Sequence, residues 1–329
     1  MRLMMMSSRL AQRPGHPHMV ASQPSRPGPA NRLVYQHGYH AGCFQDILKH
    51  TVLILLMNNM RLKEKPFAYV ETHSGAGRYD LSAALAHETA EGIFQLQAAS
   101  RSGIRLPPEA TTLLALVNEQ SYPGSPLVAA SLCRPQDSLA LCELMEDQHA
   151  LLTSALESAL PPPPIGPAAT AHLADGYRAL SKLKGEVATP SRRGLILIDP
   201  PYSYGSDTQR AVALAKHLRV HWRSARLCLW YPATRSHTKV LDEFSDAGVG
   251  DCLAIELYSG GAVTKGSGML LIHPPFGIED DARRLLTGLS EALRADGDEA
   301  PTMEIRWVAT GEAPADEATA KKARRRPRR

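Results

Sequence analysis

The segment Asp199-Pro200-Pro201-Tyr202 follows directly on the apolar run Gly194-Leu195-Ile196-Leu197-Ile198. Two prolines at the end of a buried strand halt sheet pairing and lock the loop. A simple turn needs no such rigidity. The loop holds three groups in fixed relation: the Asp199 carboxylate, the Pro200 carbonyl and the Tyr202 ring. A carboxylate and a carbonyl that accept from both N–H donors of a purine amine favour a more tetrahedral nitrogen with an available lone pair. The tyrosine offers a π-face for a base taken out of its stack. A nitrogen so held can attack an activated methyl in line, aided by positioning and electrostatics. Asp199 is then the acceptor of the departing proton, directly or through water. The methyl donor for such chemistry is the sulfonium S-adenosyl-L-methionine, and no metal is required.

In an open parallel sheet, ligands gather at the carboxyl ends of the strands. The buried strand Phe67 to Glu71 runs straight into Thr72-His73-Ser74-Gly75-Ala76-Gly77-Arg78-Tyr79. Three further strands end in Glu143, in Asp175-Gly176 and in Asp199. Gly75 and Gly77 would let the backbone approach the amino-acid end of an adenosine-containing cofactor. One strand-end carboxylate would bind its ribose hydroxyls, and a further one would accept from its adenine amine. Taken singly, a Gly-x-Gly turn is weak and Asp-Gly is ordinary turn chemistry. The series in one sheet carries the weight.

Around these strands the pattern Ile47, Leu48, Val52, Leu53, Leu55, Leu56, Met60 predicts a helix over 46–62 with a wide apolar face. Residues 82–136 read as a helical insertion closed by Tyr122-Pro123-Gly124-Ser125-Pro126, where Ser125 is placed to cap a helix with Pro126 in its first turn. Strands are expected at 138–143, 170–174, 193–198, 226–231, 252–257, 268–273 and 303–308, a helix at 145–160, and a stiff connector at Pro161 to Pro164. Alternating strands and helices make this an α/β chain: a Rossmann-like, doubly wound, mostly parallel sheet with a small helical insertion. The domain is expected over 33–310, preceded by an extension at 1–32 and followed by a basic tail at 311–329.

The 329 residues suffice for one substantial core, and 43% hydrophobic with 21% charged residues is ordinary for a globular chain. Aromatics at 5% argue against an extended base-stacking platform. The net charge of +4 is concentrated at the ends: no acid precedes Asp46, and Lys321 to Arg329 is almost purely basic. That tail either solubilises the chain or contacts RNA. Residues 1–32 have the composition of an organelle transit peptide, although Pro14, Pro17, Pro24, Pro27 and Pro29 suit a plain disordered extension equally. The scattered Cys43, Cys133, Cys142, Cys228 and Cys252 argue for reduced thiols and against zinc. No apolar run is long enough to span a bilayer.

From about Tyr35 to Val308 the chain resembles class I amino-methyltransferases and, within them, the ribosomal RNA large subunit methyltransferase J family. The landmarks are Tyr35-Gln36-His37-Gly38-Tyr39-His40-Ala41-Gly42, Asp46-Ile47-Leu48-Lys49-His50, the turn Thr72 to Tyr79, Tyr122 to Leu127, Gln136 to Leu139, Arg192 to Tyr202, and Leu229-Trp230-Tyr231-Pro232. The resemblance implies methylation of the exocyclic N6 of one adenine in 23S rRNA. It implies that His50, His73, Ser125, Glu143, Asp175, Gly176 and Asp199 line the cofactor pocket, with Lys49 beside them, and that Asp199 is catalytic. It also implies that Tyr35 contacts the RNA, with His37 close by. From composition alone, His37, His40 and His50 would be surface or capping histidines. The long lead, the proline connector and the basic tail depart from the family pattern. A transit peptide would make the target organellar, in mitochondrion or plastid; otherwise the protein is cytoplasmic. The expected partner is 23S-type rRNA, free or in an early assembly particle, and the expected state is a monomer without membrane contact. A DNA adenine-N6 methyltransferase and a non-catalytic RNA-binding assembly factor are the competing readings. Against the former stands the lack of a recognisable DNA-reading motif; against the latter, the intact loop at Asp199.

Overall fold

The computed structural model describes residues 41–82, 90–118, 120–182, 193–202, 205–234, 238–260, 266–294 and 299–310. The expected RNA contacts Tyr35 and His37, the N-terminal extension and the basic tail lie outside them. In chain order the elements are α1 (Phe44–Arg61), β1 (Ala68–Glu71), β2 (Arg78–Asp80), a π-helical turn (Ala90–Phe94), α2 (Gln95–Arg101), α3 (Pro108–Leu116), β3 (Ser121–Pro123), α4 (Ser125–Leu132), β4 (Ser138–Glu143), α5 (Glu146–Ala159), β5 (Ala168–Leu173), α6 (Gly176–Ser181), β6 (Gly194–Ile198), α7 (Asp207–His221), β7 (Ala225–Pro232), α8 (Thr238–Ala247), β8 (Cys252–Tyr258), β9 (Gly266–Ile272), α9 (Ile278–Ala292) and β10 (Thr302–Ala309).

Eight strands form one sheet in the order β10-β8-β9-β7-β6-β1-β4-β5. Strands β5, β4, β1, β6 and β7 pair in parallel. β9 runs antiparallel between β7 and β8, and β10 closes the edge antiparallel to β8. All the strands expected of the sheet are therefore present. Because side chains alternate along a strand, each central strand feeds both faces. Tyr69, Leu195 and Leu197 join α1 and the insertion helices in one core, while Val70, Ile196 and Ile198 join α6, α7 and α8 in the other.

Three features differ from the sequence expectations. Helix α1 is buried on nearly every side, since 14 of its 18 residues are buried between the sheet and the insertion; such a helix belongs to a core. The glycine turn leads into a short ribbon, β2 with β3, separate from the main sheet. Ser125 does not cap α4: Gly124 occupies the N-cap position, and the Ser125 hydroxyl turns elsewhere, with Pro126 in the first turn as expected.

Candidate active site

The carboxyl ends of the parallel strands are drawn together by backbone bonds. Thr72 N–H donates to the Leu197 carbonyl at 3.1 Å and Ser74 N–H to the Cys142 carbonyl at 3.0 Å, so the loop after β1 lies across the ends of β6 and β4. Ala174 N–H reaches the Glu143 carbonyl at 2.9 Å, which brings the end of β5 alongside. A Cβ on Gly176 would stand 2.2 Å from the Thr72 carbonyl oxygen, so only glycine permits this approach.

Within the loop, Gly75 and Gly77 have φ of 59° and 74°, the left-handed region that suits glycine. A Cβ on Gly75 would meet the Tyr79 hydroxyl at 2.2 Å. That hydroxyl accepts from Ala76 N–H at 3.2 Å, so the first residue of the ribbon beyond Arg78 braces the turn. Glu143 bridges the turn and α5: its Oε2 accepts from Gly75 N–H and its Oε1 from Met145 N–H, each at 2.8 Å.

Helix α1 supplies the polar groups beside Asp199. Asp46, Lys49 and His50 stand at i, i+3 and i+4, a spacing that puts them on one face. Lys49 Nζ lies 2.8 Å from Asp46 Oδ1 and 2.8 Å from Asp199 Oδ2. Gly42 N–H donates to Asp46 Oδ2 at 3.0 Å. Lys49 is 4% exposed and Asp46 2%, so this part of the row is shielded from water, while the Asp199 side chain is partly open. Burial alone would lower the Lys49 ammonium's pKa; Asp199 and Asp46 outweigh it and hold it well above the usual lysine range. Lys49, expected beside the cofactor residues, is the counter-ion of both Asp46 and Asp199. His50, in the same helix, faces the Tyr122 hydroxyl at 2.7 Å and stacks on that ring.

Glu71, at the end of β1, is wholly buried and takes hydrogen bonds from the Ser125 hydroxyl and, at 3.0 Å, the Tyr69 hydroxyl. Burial pushes its carboxyl up to about 8; the Ser125 bond opposes this, and the Asp199 charge adds to it. His73 is held down to about 4 by burial against the pull of Asp199 and Asp175. Its Nδ1 lies 2.7 Å from the Thr72 hydroxyl, and its ring meets Tyr177 edge-on. Asp175 caps α6 by accepting from Arg178 N–H at 3.3 Å and pairs with Arg210 at 2.5 Å. Arg210 in turn lies over the Tyr177 ring at 4.3 Å.

Tyr202 has φ of 51°, an uncommon conformation for a bulky residue. Its hydroxyl donates to the Trp230 carbonyl at 2.9 Å and its ring meets Trp230 edge-on. Lys49 Nζ stands 5.8 Å from the same indole. The expected residues at the four strand ends are thus in one neighbourhood, joined by Asp46, Trp230 and Tyr177, which are not among the expected site residues. A charged pair at i, i+3 reads as solvated helix surface, so the Asp46–Lys49 spacing alone gave no signal of burial.

Among known proteins, residues 64–309 match the family described as "Ribosomal RNA large subunit methyltransferase D, RlmJ". The chain is similar to ribosomal RNA large subunit methyltransferase J of Escherichia coli (strain K12), 34% identical over 84% of this chain and 99% of that protein. The same-named protein of Haemophilus influenzae is 32% identical over 84% of this chain and 99% of its own length. Among solved structures, protein LPL1258 from Legionella pneumophila superposes with a TM-score of 0.70 at 27% identity, covering 82% of this chain and 98% of that one. With the glycine turn, the acidic strand ends and the Asp199 loop assembled on a matching fold, the chain belongs to the ribosomal RNA large subunit methyltransferase J family.

Proposed function

We propose that this protein transfers the methyl group of S-adenosyl-L-methionine to the exocyclic N6 of a specific adenine in 23S-type ribosomal RNA. The observation that carries the reading is the row Asp46–Lys49–Asp199, buried at Asp46 and Lys49, which ends at the carboxyl edge of β6. The two curated relatives are named as large-subunit rRNA methyltransferases, which supports RNA as the substrate.

The residues present fit the cofactor. Gly75 and Gly77 keep side chains off the turn, Glu143 stands at the end of β4, and the buried Ser74 hydroxyl has no hydrogen-bond partner among the described residues. In this reading the turn receives the amino-acid end, Glu143 the ribose hydroxyls, and Asp175 with Gly176 the adenine, while His50, His73 and Ser125 complete the pocket. When bound, the cofactor supplies an electrophilic methyl on sulfur.

Asp199 and the Pro200 carbonyl accept from the two N–H donors of the target amine, and Tyr202 supports the extruded base. Lys49 fixes Oδ2 of Asp199 in place. When a proton passes from N6 to Asp199, that carboxylate becomes neutral, yet Lys49 keeps Asp46 as its counter-charge. The buried ammonium is never left unpaired, which would be costly. Tyr35 and His37 are assigned to the RNA, and the cytoplasm is the compartment for a 23S-type target. No helix among the described residues is long and apolar enough to cross a membrane.

The test is incubation with labelled S-adenosyl-L-methionine and protein-free 23S rRNA, intact large subunits or duplex DNA, followed by digestion to nucleosides. N6-methyladenosine from 23S rRNA is expected, with at least a roughly hundredfold fall in rate for Asp199→Asn. Label confined to DNA, or full activity in Asp199→Asn, overturns the reading.

A further inference from the structure

The opposite end of the sheet carries a strip of cations that the methyl-transfer chemistry does not use. At the amino ends of the parallel strands, Arg134 precedes β4, Arg193 precedes β6, Arg226 opens β7, and Arg219 lies in the last turn of α7. Shared acceptors place them side by side. Arg134 and Arg193 both donate to the Lys65 carbonyl, at 3.3 and 2.7 Å. Arg193 and Arg226 both reach the Met60 sulfur, at 3.8 and 3.2 Å. Arg219 Nη1 reaches the carbonyl of Ala225, next to Arg226, at 3.5 Å, and His273 Nδ1 at 3.1 Å.

Like charges do not gather without cause. Part of the cause is structural, because Arg134 and Arg193 satisfy carbonyls at and beyond the end of α1, and Arg219 those of Arg223 and Ala225 beyond α7. That explanation does not cover the rest. The Nε atoms of Arg219 and Arg226 are buried and have no hydrogen-bond partner among the described residues. Each of these two arginines has its pKa lowered by burial and then by a neighbouring arginine. Asp137 is committed to Arg134 at 2.9 Å. Exposed Lys63, Lys65 and Arg223 extend the strip outward, with Glu64 and, near Arg219, Asp251 as the acids among them.

An aromatic side chain stands at the same pole. Because β9 is antiparallel, its carboxyl end lies where the parallel strands begin. There the chain turns through His273, a non-glycine residue with φ of 58°, and Pro274-Pro275 to Phe276, whose side chain is fully exposed. An exposed aromatic beside a cationic track is how single-stranded nucleic acid is held without sequence preference: phosphates on the cations, a base on the ring. From β4 to β9 the strip crosses four strand spacings, roughly 19 Å at about 4.8 Å each.

We infer that the amino pole of the sheet is a second RNA-binding surface, which grips a single-stranded stretch through the exposed Lys63, Lys65 and Arg223 over the field of Arg134, Arg193, Arg226 and Arg219 and stacks one base on Phe276. RNA as the occupant rests on the proposed function. Arg193 and Asp199 bracket β6, so the strip lies roughly 20 Å from the catalytic loop at about 3.3 Å per residue. A large folded RNA spans that distance; a nucleotide does not.

The test leaves the bonded arginines alone. The triple variant Lys63→Glu, Lys65→Glu, Arg223→Glu alters side chains whose residues contribute only main-chain carbonyls to the bonds described, and Phe276→Ala removes the ring. Binding of labelled 23S rRNA, a twenty-residue uridine oligomer and a twenty-pair DNA duplex is followed across a salt series. The triple variant should bind both RNAs at least tenfold more weakly. Its slope of log affinity on log salt should fall by about two, near 0.7 for each single-strand phosphate that is no longer neutralised. Phe276→Ala should weaken the oligomer several-fold with little change in slope. In methyl transfer to 23S rRNA, KM should rise while kcat holds. Wild-type affinity and slope in the triple variant, or a weakening confined to duplex DNA, overturns the inference. The uridine oligomer contains no adenine. A wild type that binds it through the strip yet fails to methylate 23S rRNA would sink the proposed function and leave this surface standing.

Discussion

Two titratable groups at the turn after β1 pull the pH dependence of stability in opposite directions. Glu71 moves from 4.5 to about 8 on folding, so its contribution is fully present below 4.5 and is lost as pH rises through 8. His73 moves from 6.5 to about 4, so its contribution is present above 6.5 and is lost as pH falls towards 4. Between 4.5 and 6.5 the two slopes oppose each other; from 6.5 to 8 Glu71 acts alone. Glu71→Gln should therefore flatten the wild-type decline in that upper window, by up to about 1.4 kcal/mol per pH unit for one proton. Urea unfolding at pH 6.5, 7.25 and 8 reads it, and parallel curves for the two proteins would contradict the burial argument. The identity of Glu71 as a strand-end acid was legible from the sequence. Its bond to Ser125 was not, because that contact joins positions 54 apart through the packing of α4.

At the scale of elements, the loop after β1 depends on backbone that only glycine provides without strain. Gly75→Ala adds a Cβ where the Tyr79 hydroxyl sits and forces a positive φ on alanine. Gly103 also has positive φ, 81°, but nothing lies within 4 Å of its would-be Cβ. Gly103→Ala should cost only about 1 kcal/mol, while Gly75→Ala should cost more and weaken S-adenosyl-L-methionine binding at least tenfold by calorimetric titration. Equal effects would mean that the turn is not braced by Tyr79. The main strands were legible because buried parallel strands are continuous apolar runs; β1 and β6 are buried at every position. The ribbon β2–β3 was not, since strands of three residues carry too little pattern and owe their pairing to tertiary contacts. Helix α1 gave the right limits within about two residues but hid its buried polar face, because Asp46 and Lys49 are charged residues in a position that only the fold makes dry.

Across the whole molecule, the insertion is tied to the last helix by Glu109 and Arg284, which form a two-toothed contact at 3.1 and 2.8 Å over 175 residues of chain. Glu109 is 4% exposed at its side chain and Arg284 45%. Arg284→Ala would strand a buried carboxylate; with the arginine half in water the cost should be about 1–3 kcal/mol, below that of a fully buried pair. A shift in the urea midpoint measures it, and an unchanged midpoint would show that water replaces the guanidinium at no cost. Charge was legible in the sequence as a total and as basic ends. Its collection at the amino pole brings together cationic residues as distant as Lys65 and Arg193, 128 positions apart, so no local window reveals it.

Strand β9 sits between two strands that both precede it in the chain. During synthesis, β7 and β8 leave the ribosome with their facing edges unpaired, and neither can be satisfied until residues 266–272 follow. An unpaired edge is a template for another chain, so the nascent protein carries two open seams until one late strand seals both.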